Sequence, residues 1–592
     1  MRIVLFHLGL IALAGLFVTG SLLEEPSQAG GFLGYSAGRW VILLVNTIAL
    51  AGVFFSVYKV WTNQTRGIET WLSHERHLFG IFFFAIFLFV FSFPAGIGKF
   101  PAVRYFVYFG RVQPSLLWLA FASGLISLTL LIVLRKSILL WFRQFFPEKS
   151  IQERIGLSAS QKYIILGIVL GYLSLQVTSH LKVHEAIWLP DSIDYIFPAT
   201  TYNWNEPGLW THTKPWGAAV LYKLTGSSPV VIDVAQVTLS VLAWLALAWT
   251  FSHVILVRWL RVVTFGVVLS FSLAPSVEMW NHIIQSEALS ISLMVLILAI
   301  WFSLLQNWRW DKLFALTFLF GWWIGTRETN VYLSLMTAGI LVLVGLLFKR
   351  QRFYWAVSAV LVFFCYVNMQ ISEVPTLPRW LYPLTNTILH RILPNEAFTQ
   401  YFEYFGMPVT PELLALSGGY ADSEDFAVFN DPALGEMESW LYKRGKDVYI
   451  DFLIAHPAYT LVSPWQHLDE LLAPTDLRGY APEHYSLVLA WLFGELFFPN
   501  SLWLVMVLVS VTLVLTGRAK SWKSSRAFWL VLGFLALFFP HFYLVWHGDA
   551  AEVGRHAIQA SVQLRLALWL LLILALDTIV TNGHRIRTRH RS

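Results

Sequence analysis

Residues 287–306 read EALSISLMVLILAIWFSLLQ, a run in which the first residue, Glu287, is the only charged one. A helix of this composition can cross the hydrocarbon core of a bilayer, which needs about 20 apolar residues. The whole chain of 592 residues has this character: 57% of it is hydrophobic and 13% charged, about half the charge density of a soluble protein. We therefore predict an all-α polytopic membrane protein and exclude a soluble one.

Apolar runs of similar length follow one another along the sequence, and we count about fourteen. They lie near 3–22, 40–60, 78–98, 115–134, 163–180, 230–257, 262–277, 287–306, 313–327, 331–348, 353–371, 501–516, 527–546 and 557–578. The first run carries one basic residue, Arg2, and many other spans follow it, so we predict an uncleaved anchor instead of a secretory signal.

Basic residues are concentrated in alternate loops, which is the pattern of loops retained in the cytoplasm. Loops 135–162 and 517–526 and the tail beyond 578 are basic, whereas segment 372–483 carries 16 acidic residues against 6 basic ones. We therefore predict a multi-pass protein of the plasma (inner) membrane with both termini in the cytoplasm. The net charge of +6 is then an orientation signal, and we predict no nucleic-acid partner.

This predicted sidedness can be tested with cysteines introduced at Lys520 and Tyr420. Because the first position lies in a basic loop and the second in the acidic segment, we expect a membrane-impermeant thiol reagent to label them from opposite sides. Labelling of both positions from the same side would overturn the topology.

The native Cys365 lies within an apolar run. Because it is the single cysteine of the sequence, an intrachain disulfide is excluded.

Two predicted outward loops, 181–229 and 372–483, are longer than a connection needs, and long loops often carry function. We predict an accessory four-helix transmembrane bundle at 1–134, a basic cytoplasmic linker at 135–162, a transmembrane core at 163–371 that includes the outer loop 181–229, a small acidic extracytoplasmic insert at 372–483, and C-terminal transmembrane helices with a basic tail at 484–592. Within the insert, residues 397–405 and 438–452 show helical patterning.

The first candidate site motif is PDSIDY at 190–195, early in the first long loop. Asp191 is a suitable N-cap for a following helix, with Asp194 on the same face and Tyr195 beside it. The motif either caps this helix or provides a carboxylate that acts as general base on an acceptor hydroxyl. Oxygen ligands leave no spacing signature, so Asp191 and Asp194 could also hold one divalent ion, Mg²⁺ or Mn²⁺.

A second polar motif, THTKPWG at 211–217, contains His212 and Lys214. Lys214 precedes a proline that can start a helix, so its ammonium and the free N–H groups of that helix could face an anion together. The alternative is a lysine that reaches from the membrane to the interface.

Further polar residues stand at the predicted outer ends of later spans. The candidates are His282, Glu287, Arg327, His547, Asp549, Glu552, Arg555 and His556. A Ser-Glu helix start is also ordinary capping chemistry, and Arg327 could simply pair with its neighbour Glu328. Arg565, about two turns inside the last span, needs a counter-charge or a phosphate, and Asp233 is a candidate partner.

Taken in order, these motifs resemble those of the GT-C superfamily of membrane glycosyltransferases, especially bacterial relatives of the protein mannosyltransferases and the lipid A aminoarabinose transferases. PDSIDY is similar to the acidic motif of the first long outer loop, TKPWGAAVLYKLTG to a Lys-Pro segment, QSEALS to a Ser-Glu helix start, GTRETN to a glycine-threonine-arginine turn, and GRHAIQA to the Arg-His segment that opens the last helix. The resemblance covers about 163–578. Many members carry adjacent acidic residues, so the separation of Asp191 from Asp194 leaves both open as the base, and relatives with a PDS-type motif favour Asp191.

This resemblance implies a GT-C-like core and a donor sugar on polyprenyl phosphate, held among the membrane lipids and used outside the cytoplasm. It implies transfer, with inversion, to a hydroxyl of an extracytoplasmic glycan, lipid or protein. We expect no required cofactor, and a divalent ion, Mg²⁺ or Mn²⁺, stays possible. Asp191 would be the general base, and Lys214, Arg327 and Arg555 would stabilise the departing phosphate. His556 would donate a hydrogen bond to it.

Two other functions stay open on the sequence alone. The chain could be a transporter or flippase of a lipid-linked saccharide, with Arg565 and Asp233 as charges along an intramembrane pathway. It could also be a non-catalytic membrane scaffold whose insert binds a partner. Most polar candidates lie at the predicted outer boundary and no repeated halves are visible, which favours the enzyme.

Overall fold

A computed structural model describes residues 48, 51, 55, 75–96, 117–134, 158–183, 185–189, 191–212, 214–347, 352–372, 378–421, 426–472, 493–519 and 525–589. The chain divides into two compact units, residues 1–143 with 444–462, and residues 144–443 with 463–592. The predicted span 3–22, nearly all of the predicted span 40–60, most of the basic loop 135–162 and the last residues of the basic tail lie outside the described residues.

The described residues are built from helices and contain no β-strand, only one isolated bridge between Ile187 and Ile283. Nine of the described helices are long and apolar enough to cross a membrane: Leu117–Leu134, Ala159–Val183, Pro229–Ser252, Ser286–Gln306, Glu328–Leu346, Tyr354–Ile371, Leu502–Ala519, Arg526–Gly548 and Val553–Asn582. Each coincides with a predicted apolar run. The prediction of an all-α polytopic membrane protein is therefore confirmed.

The described residues also form other helices, most of them shorter than these spans. The α-helices are Glu75–Gly96, Ser192–Thr201, Trp216–Leu224, Trp310–Ile324, Leu381–Thr387, Glu396–Tyr404, Pro411–Ala415, Ala427–Asn430, Gly435–Trp440, Lys446–Ala455, Pro457–Gln466 and Leu468–Leu472. Trp310–Ile324 takes the place of the predicted run 313–327 and has 15 residues, fewer than a straight crossing needs.

The predicted run 262–277 forms a broken span. Helix Arg258–Ser272 is followed by the short segment Pro275–His282, and the two are bent by 62°. Pro275 cannot continue the hydrogen bonding of the preceding helix, but it suits the first position of the next one. The break places Glu278 and His282 inside the bundle, where both are fully buried.

Helix Ser286–Gln306 contains the run quoted at the start, and 72% of its apolar window is buried, the largest share among the candidate spans. A helix that is apolar on all sides belongs in the interior of a bundle. Its Ser290 hydroxyl donates to Gln559 Oε1 (2.5 Å) and accepts from Asn330 Nδ2 (2.9 Å). Gln559 Nε2 donates to Asn330 Oδ1 (2.9 Å), so three helices are joined by a closed ring of hydrogen bonds.

The described part of the predicted insert is helical. The patterning at 397–405 and 438–452 is confirmed by helix Glu396–Tyr404 and by continuous helical turns over 435–455. Asn395 begins the first of these helices by accepting hydrogen bonds from the N–H groups of Ala397 and Phe398. Residues 444–462 of this segment belong to the first unit, and its other described residues belong to the second.

Candidate active site

Asp191 lies directly before helix Ser192–Thr201, at the position that the sequence predicts, but its side chain does not cap that helix. The turn is held by Ser192, whose hydroxyl accepts from the N–H of Leu189 (2.8 Å) and donates to the carbonyl of Ile284 (2.8 Å). The helix-cap interpretation of the Asp191 side chain is therefore wrong, and its carboxylate has other partners.

Two cations reach the same carboxylate oxygen of Asp191. Lys214 Nζ lies 3.2 Å and Arg555 Nη2 lies 3.1 Å from Asp191 Oδ2, and Lys214 Nζ is also 3.7 Å from Asp194 Oδ2. Burial would raise the pKa of Asp191, but the charges of Lys214 and Arg555 outweigh it and lower the pKa from its ordinary value. Burial would lower the pKa of Lys214, but the carboxylates of Asp191 and Asp194 raise it above its ordinary value. Asp191 and Lys214 are therefore both charged at neutral pH.

Lys214 is placed by the start of helix Trp216–Leu224, which follows Pro215 as the sequence predicts. The N–H of Gly217 donates to the carbonyl of Gly325 (2.6 Å). A Cβ at Gly217 would lie 2.7 Å from that oxygen, so this approach of two backbones requires glycine. The contact joins the Lys214 segment to the turn that carries Arg327.

The hydrogen-bonded ring of Ser290, Asn330 and Gln559 explains how three charged residues come together. Each member of the ring lies about one helical turn beyond a charged candidate. The pairs are Glu287 with Ser290, Arg327 with Asn330, and Arg555 with Gln559. Since the three helices run in the same direction from this end, fixing the ring also fixes the charged residues at one end of the bundle.

Glu287 is buried between the two guanidinium groups. Its Oε1 lies 3.6 Å from Arg327 Nη1 and 3.9 Å from Arg555 Nε, which are ion-pair distances but too long for hydrogen bonds. Both nitrogen atoms are buried and have no hydrogen-bond acceptor within the described part of the chain. The side-chain amide of Gln285 can bridge Glu287 and Arg555. In that orientation its nitrogen faces Glu287 Oε2 (3.2 Å) and its oxygen faces Arg555 Nη1 (3.1 Å). Both guanidinium groups therefore keep a donor for a further anion.

His556 and Asp549 support Arg327. Arg327 Nη2 donates to His556 Nδ1 (2.9 Å), so the ring proton is on Nε2, which faces Asp549 Oδ2 at 3.7 Å. Asp549 Oδ1 accepts from the N–H of Ala551 and from Asn386 Nδ2, both at 2.9 Å. Burial raises the pKa of Asp549 from its ordinary value. In this arrangement His556 is a hydrogen-bond acceptor that orients Arg327, which differs from the expected role of donor to a phosphate.

Tyr195 and Glu552 lie next to these groups. The Tyr195 hydroxyl donates to Ser286 Oγ at 3.4 Å, and Lys214 Nζ lies 6.0 Å from the centroid of its ring. Burial raises the pKa of Tyr195 from its ordinary value, so the phenol is neutral. Glu552 pairs with Arg555 Nη1 at 2.9 Å, and its φ of 47° is a left-handed conformation at the entrance of the last helix.

His212 and His547 have aromatic neighbours. The ring of His212 packs against Phe197, and burial lowers its pKa from the ordinary value. The carbonyl of His212 accepts from Arg379 Nε at 2.8 Å. The ring of His547 is stacked on Tyr543 with 9° between the planes. Both histidines therefore have packing roles in this arrangement, and His282 belongs to a separate buried network described below.

Arg565 is fully buried, and its candidate partner Asp233 does not pair with it. Arg565 Nε donates to the carbonyl of Pro499 (2.8 Å), Nη2 donates to that of Leu472 (2.6 Å), and Nη1 donates to the Ser561 hydroxyl. Its guanidinium carbon lies 4.3 Å from the centroid of the Phe498 ring. Backbone dipoles and an aromatic face thus satisfy this cation in place of a carboxylate.

A metal ion at Asp191 and Asp194 would have to displace Lys214, because the ammonium lies within 3.2 and 3.7 Å of the two carboxylates. In the ranges that the structure describes, no group of three or more His, Cys, Asp or Glu side chains is arranged to hold a metal ion. Lys214 itself supplies positive charge between the two carboxylates.

Sequence reasoning missed Gln285, Asn386 and Arg379. Gln285 directly precedes the Ser-Glu helix start, so its place in the motif was a usable signal. Arg379 Nη1 pairs with Glu328 Oε1 at 2.7 Å, and the expectation that Arg327 and Glu328 could pair with each other is wrong. Asn386 and Arg379 stand in the acidic segment, where no pattern distinguishes them from surface residues.

Asp191, Lys214, Glu287, Arg327 and Arg555, which we call the charged cluster, combine a partly exposed carboxylate with three cations. Guanidinium and ammonium groups in this geometry can bind an anion, while the carboxylate accepts a proton from a nearby hydroxyl. No protein-family model, no curated protein and no solved structure matches the chain.

Proposed function

We propose that the chain is an integral membrane glycosyltransferase that moves a sugar from a polyprenyl-phosphate donor to a hydroxyl of an extracytoplasmic glycan, lipid or protein. One observation carries the proposal. The Asp191 carboxylate lies within 3.2 Å of two cations, and Arg327 and Arg555 each keep a buried N–H without an acceptor in the described chain. A site of this kind suits a hydroxyl and a phosphate held side by side.

The donor phosphate would bind to Arg327, Arg555 and Lys214. Buried guanidinium groups with open donor positions are costly unless an anion completes them, and their planar forks match phosphate oxygens. Glu287 lies between the two arginines at ion-pair distance from each. A polyprenyl tail beside the phosphate would be accommodated by the apolar helices that begin at this end of the bundle.

The transfer step follows from the same residues. The acceptor oxygen attacks the anomeric carbon of the sugar, and Asp191 takes the hydroxyl proton. The bond between the anomeric carbon and the phosphate oxygen breaks, and its electron pair stays on the departing polyprenyl phosphate, where the arginines and Lys214 stabilise the added charge. A single attack from the side opposite the phosphate inverts the anomeric centre.

Donor binding would also make Asp191 a stronger base. Lys214 and Arg555 lower the pKa of Asp191 while they pair with it. A phosphate that recruits these two cations weakens both pairs, so the carboxylate becomes more basic when the donor is in place. The base is then most effective in the complex in which it is needed.

The resemblance of the motifs to the GT-C superfamily supports this assignment, because the residues carried by five separate motifs meet at one charged cluster and its supports. We propose accordingly a GT-C-like core with about fourteen spans, placed in the plasma membrane. Both termini would be cytoplasmic and the charged cluster would face the extracytoplasmic side. We propose that Lys214 replaces a divalent ion, so that no cofactor is needed.

The proposal can be tested with the purified protein in lipid nanodiscs and a panel of polyprenyl-phosphate sugars. We expect release of free polyprenyl phosphate that depends on an acceptor and persists with EDTA. The acceptor can be identified as the glycan or lipid that loses a sugar in cells lacking the protein. Movement of the intact donor across a vesicle membrane, without release of polyprenyl phosphate, would support a flippase and overturn the enzyme.

A further inference from the structure

A second group of ionisable side chains is buried in the bundle and takes no part in the proposed transfer. Asp233 binds two histidine rings, with His282 Nδ1 at 2.6 Å from Oδ1 and His180 Nδ1 on Oδ2. His282 Nε2 lies 3.1 Å from Glu278 Oε1, which also accepts from the Ser179 hydroxyl. Asp233, Glu278 and His282 are fully buried, whereas the side chain of His180 is 26% exposed. We call these four ionisable residues the histidine network.

His282 is the central member of the histidine network, because its ring contacts both carboxylates. Both nitrogen atoms of His282 are engaged, so the ring cannot turn without breaking two buried hydrogen bonds. The network therefore fixes His282 rigidly.

Such a network is an expensive way to stabilise a bundle. Burying an ion costs several kcal/mol before its partners are counted, and well-packed apolar residues often serve stability as well. Buried polar networks do hold neighbouring backbone in one arrangement. The function of the histidine network therefore depends on which backbone segments it holds in place.

That backbone leads directly to Asp191. The carbonyl of His282 accepts from the N–H of Ile187 (2.7 Å), and the N–H of Ile284 donates to the carbonyl of Ile187 (3.0 Å). The carbonyl of Ile284 accepts from the hydroxyl of Ser192, the residue after Asp191. The path from His282 to the proposed base thus consists of hydrogen bonds between consecutive segments.

Gln236 reinforces the same backbone from the helix that carries Asp233. Its Nε2 donates to the carbonyls of Asn281 (2.8 Å) and Ile283 (3.0 Å), on either side of His282. Tyr222 donates to Gln285 O (2.7 Å), just before Glu287. Residues 281–285 are therefore held by hydrogen bonds from two other helices, directly before Glu287 of the charged cluster.

We propose that the histidine network is a positioning device for the transfer site, in which His282 sets the distance of Asp191 from the cations and the reacting hydroxyl. This role rests on the proposed function. His282 and Ser192 are positioning residues in it, because they act on Asp191 through the backbone of Ile187 and Ile284. Both residues lie outside the charged cluster that would bind the donor phosphate.

The test is a comparison of His282→Gln with the wild-type enzyme in the nanodisc assay. A displacement of the base by about 1 Å costs up to about 100-fold in rate, so we expect kcat to fall about 10- to 100-fold. The KM for the donor should stay within about threefold, because the phosphate-binding cations remain. Binding of free polyprenyl phosphate should likewise be retained.

Asp577→Asn is the matched control, since Asp577 is a buried carboxylate that accepts from the N–H groups of Leu256 and Val257. We expect it to lower thermal stability without lowering kcat per folded molecule. Ser192→Ala, which removes the link to Ile284, is a milder variant should His282→Gln not fold, and we expect it to lower kcat while Ser192→Thr restores it.

The outcomes separate the two proposals. An inactive wild-type enzyme would overturn the proposed function and this role with it. An active wild-type enzyme whose kcat is unchanged by His282→Gln and Ser192→Ala would overturn the positioning role alone. Equal losses of kcat in these variants and in Asp577→Asn would also overturn it, because they would indicate general destabilisation.

Discussion

Asp191→Asn is expected to abolish sugar transfer while leaving folding and membrane insertion intact. A general base contributes about 10²- to 10⁴-fold to a rate, and an amide of the same size cannot accept the acceptor proton. The cations keep other partners, since Lys214 lies 3.7 Å from Asp194 and Arg555 lies 2.9 Å from Glu552. The charged cluster should therefore persist without the Asp191 charge.

The affinity for the donor provides a second measurement on the Asp191→Asn variant. In the resting protein the Asp191 carboxylate competes with any phosphate for Lys214 and Arg555. Removing its charge should leave polyprenyl-phosphate binding equal or tighter, measured by displacement of a fluorescent lipid phosphate, while turnover is lost. Loss of both binding and turnover would indicate instead that Asp191 holds the site together.

Asp194→Asn is the matched control for Asp191→Asn. Asp194 is more exposed and more distant from Lys214, so we expect its variant to keep most of the activity. A greater loss in Asp194→Asn than in Asp191→Asn would reassign the base. Retained turnover in purified Asp191→Asn would remove general-base catalysis by this residue.

The pH dependence of the wild-type enzyme should report the ionisation of Asp191. Lys214 and Arg555 lower the pKa of Asp191 below its ordinary value, so the carboxylate is ionised at neutral pH. Protonation as the pH falls through this lowered pKa removes the base and its pairing with both cations. The acid limb of kcat/KM should therefore lie below the ordinary range of an aspartic acid.

The spans could be predicted from the sequence because crossing a membrane demands long apolar helices, and apolar length is visible in one dimension. The bend between Ser272 and Pro275 was not predicted, because the run 262–277 stays apolar through it. Pro275 was the available signal. Its effect is local, whereas the predicted run was defined by average composition over many residues.

Part of the site could also be predicted from the sequence alone. Asp191, Lys214 and Arg555 could be identified because charged residues are rare in such a chain. Each charged residue at a helix end is therefore a candidate for function. Their meeting depends on polar residues such as Ser290 and Gln559 inside the spans, which look like minor interruptions in the sequence. Partners that depend on tertiary approach, such as the carbonyls around Arg565, leave no pattern at all.

Arg327→Gln should cause the second large loss, and it separates donor binding from proton transfer. Arg327 has an open buried N–H and contacts Glu287 and His556, but it does not pair with Asp191. Loss of one positioned donor to a developing negative charge costs about 10²- to 10³-fold. We therefore expect kcat/KM for the donor to fall by this factor, with weaker binding of free polyprenyl phosphate.

Arg379→Gln is the matched control for this loss, because Arg379 is an equally buried arginine paired with Glu328 and with the carbonyl of His212. It should reduce thermal stability to a similar extent and keep donor binding. Arg327→Lys should restore part of the binding, since it keeps the charge but not the planar fork that matches a phosphate. Unchanged donor binding in Arg327→Gln would remove the phosphate from this position, whereas equal weakening in Arg379→Gln would assign the effect to stability. The anion assignment therefore depends on the difference between two buried arginines, of which Arg327 lies in the charged cluster and Arg379 pairs with Glu328 and with the carbonyl of His212.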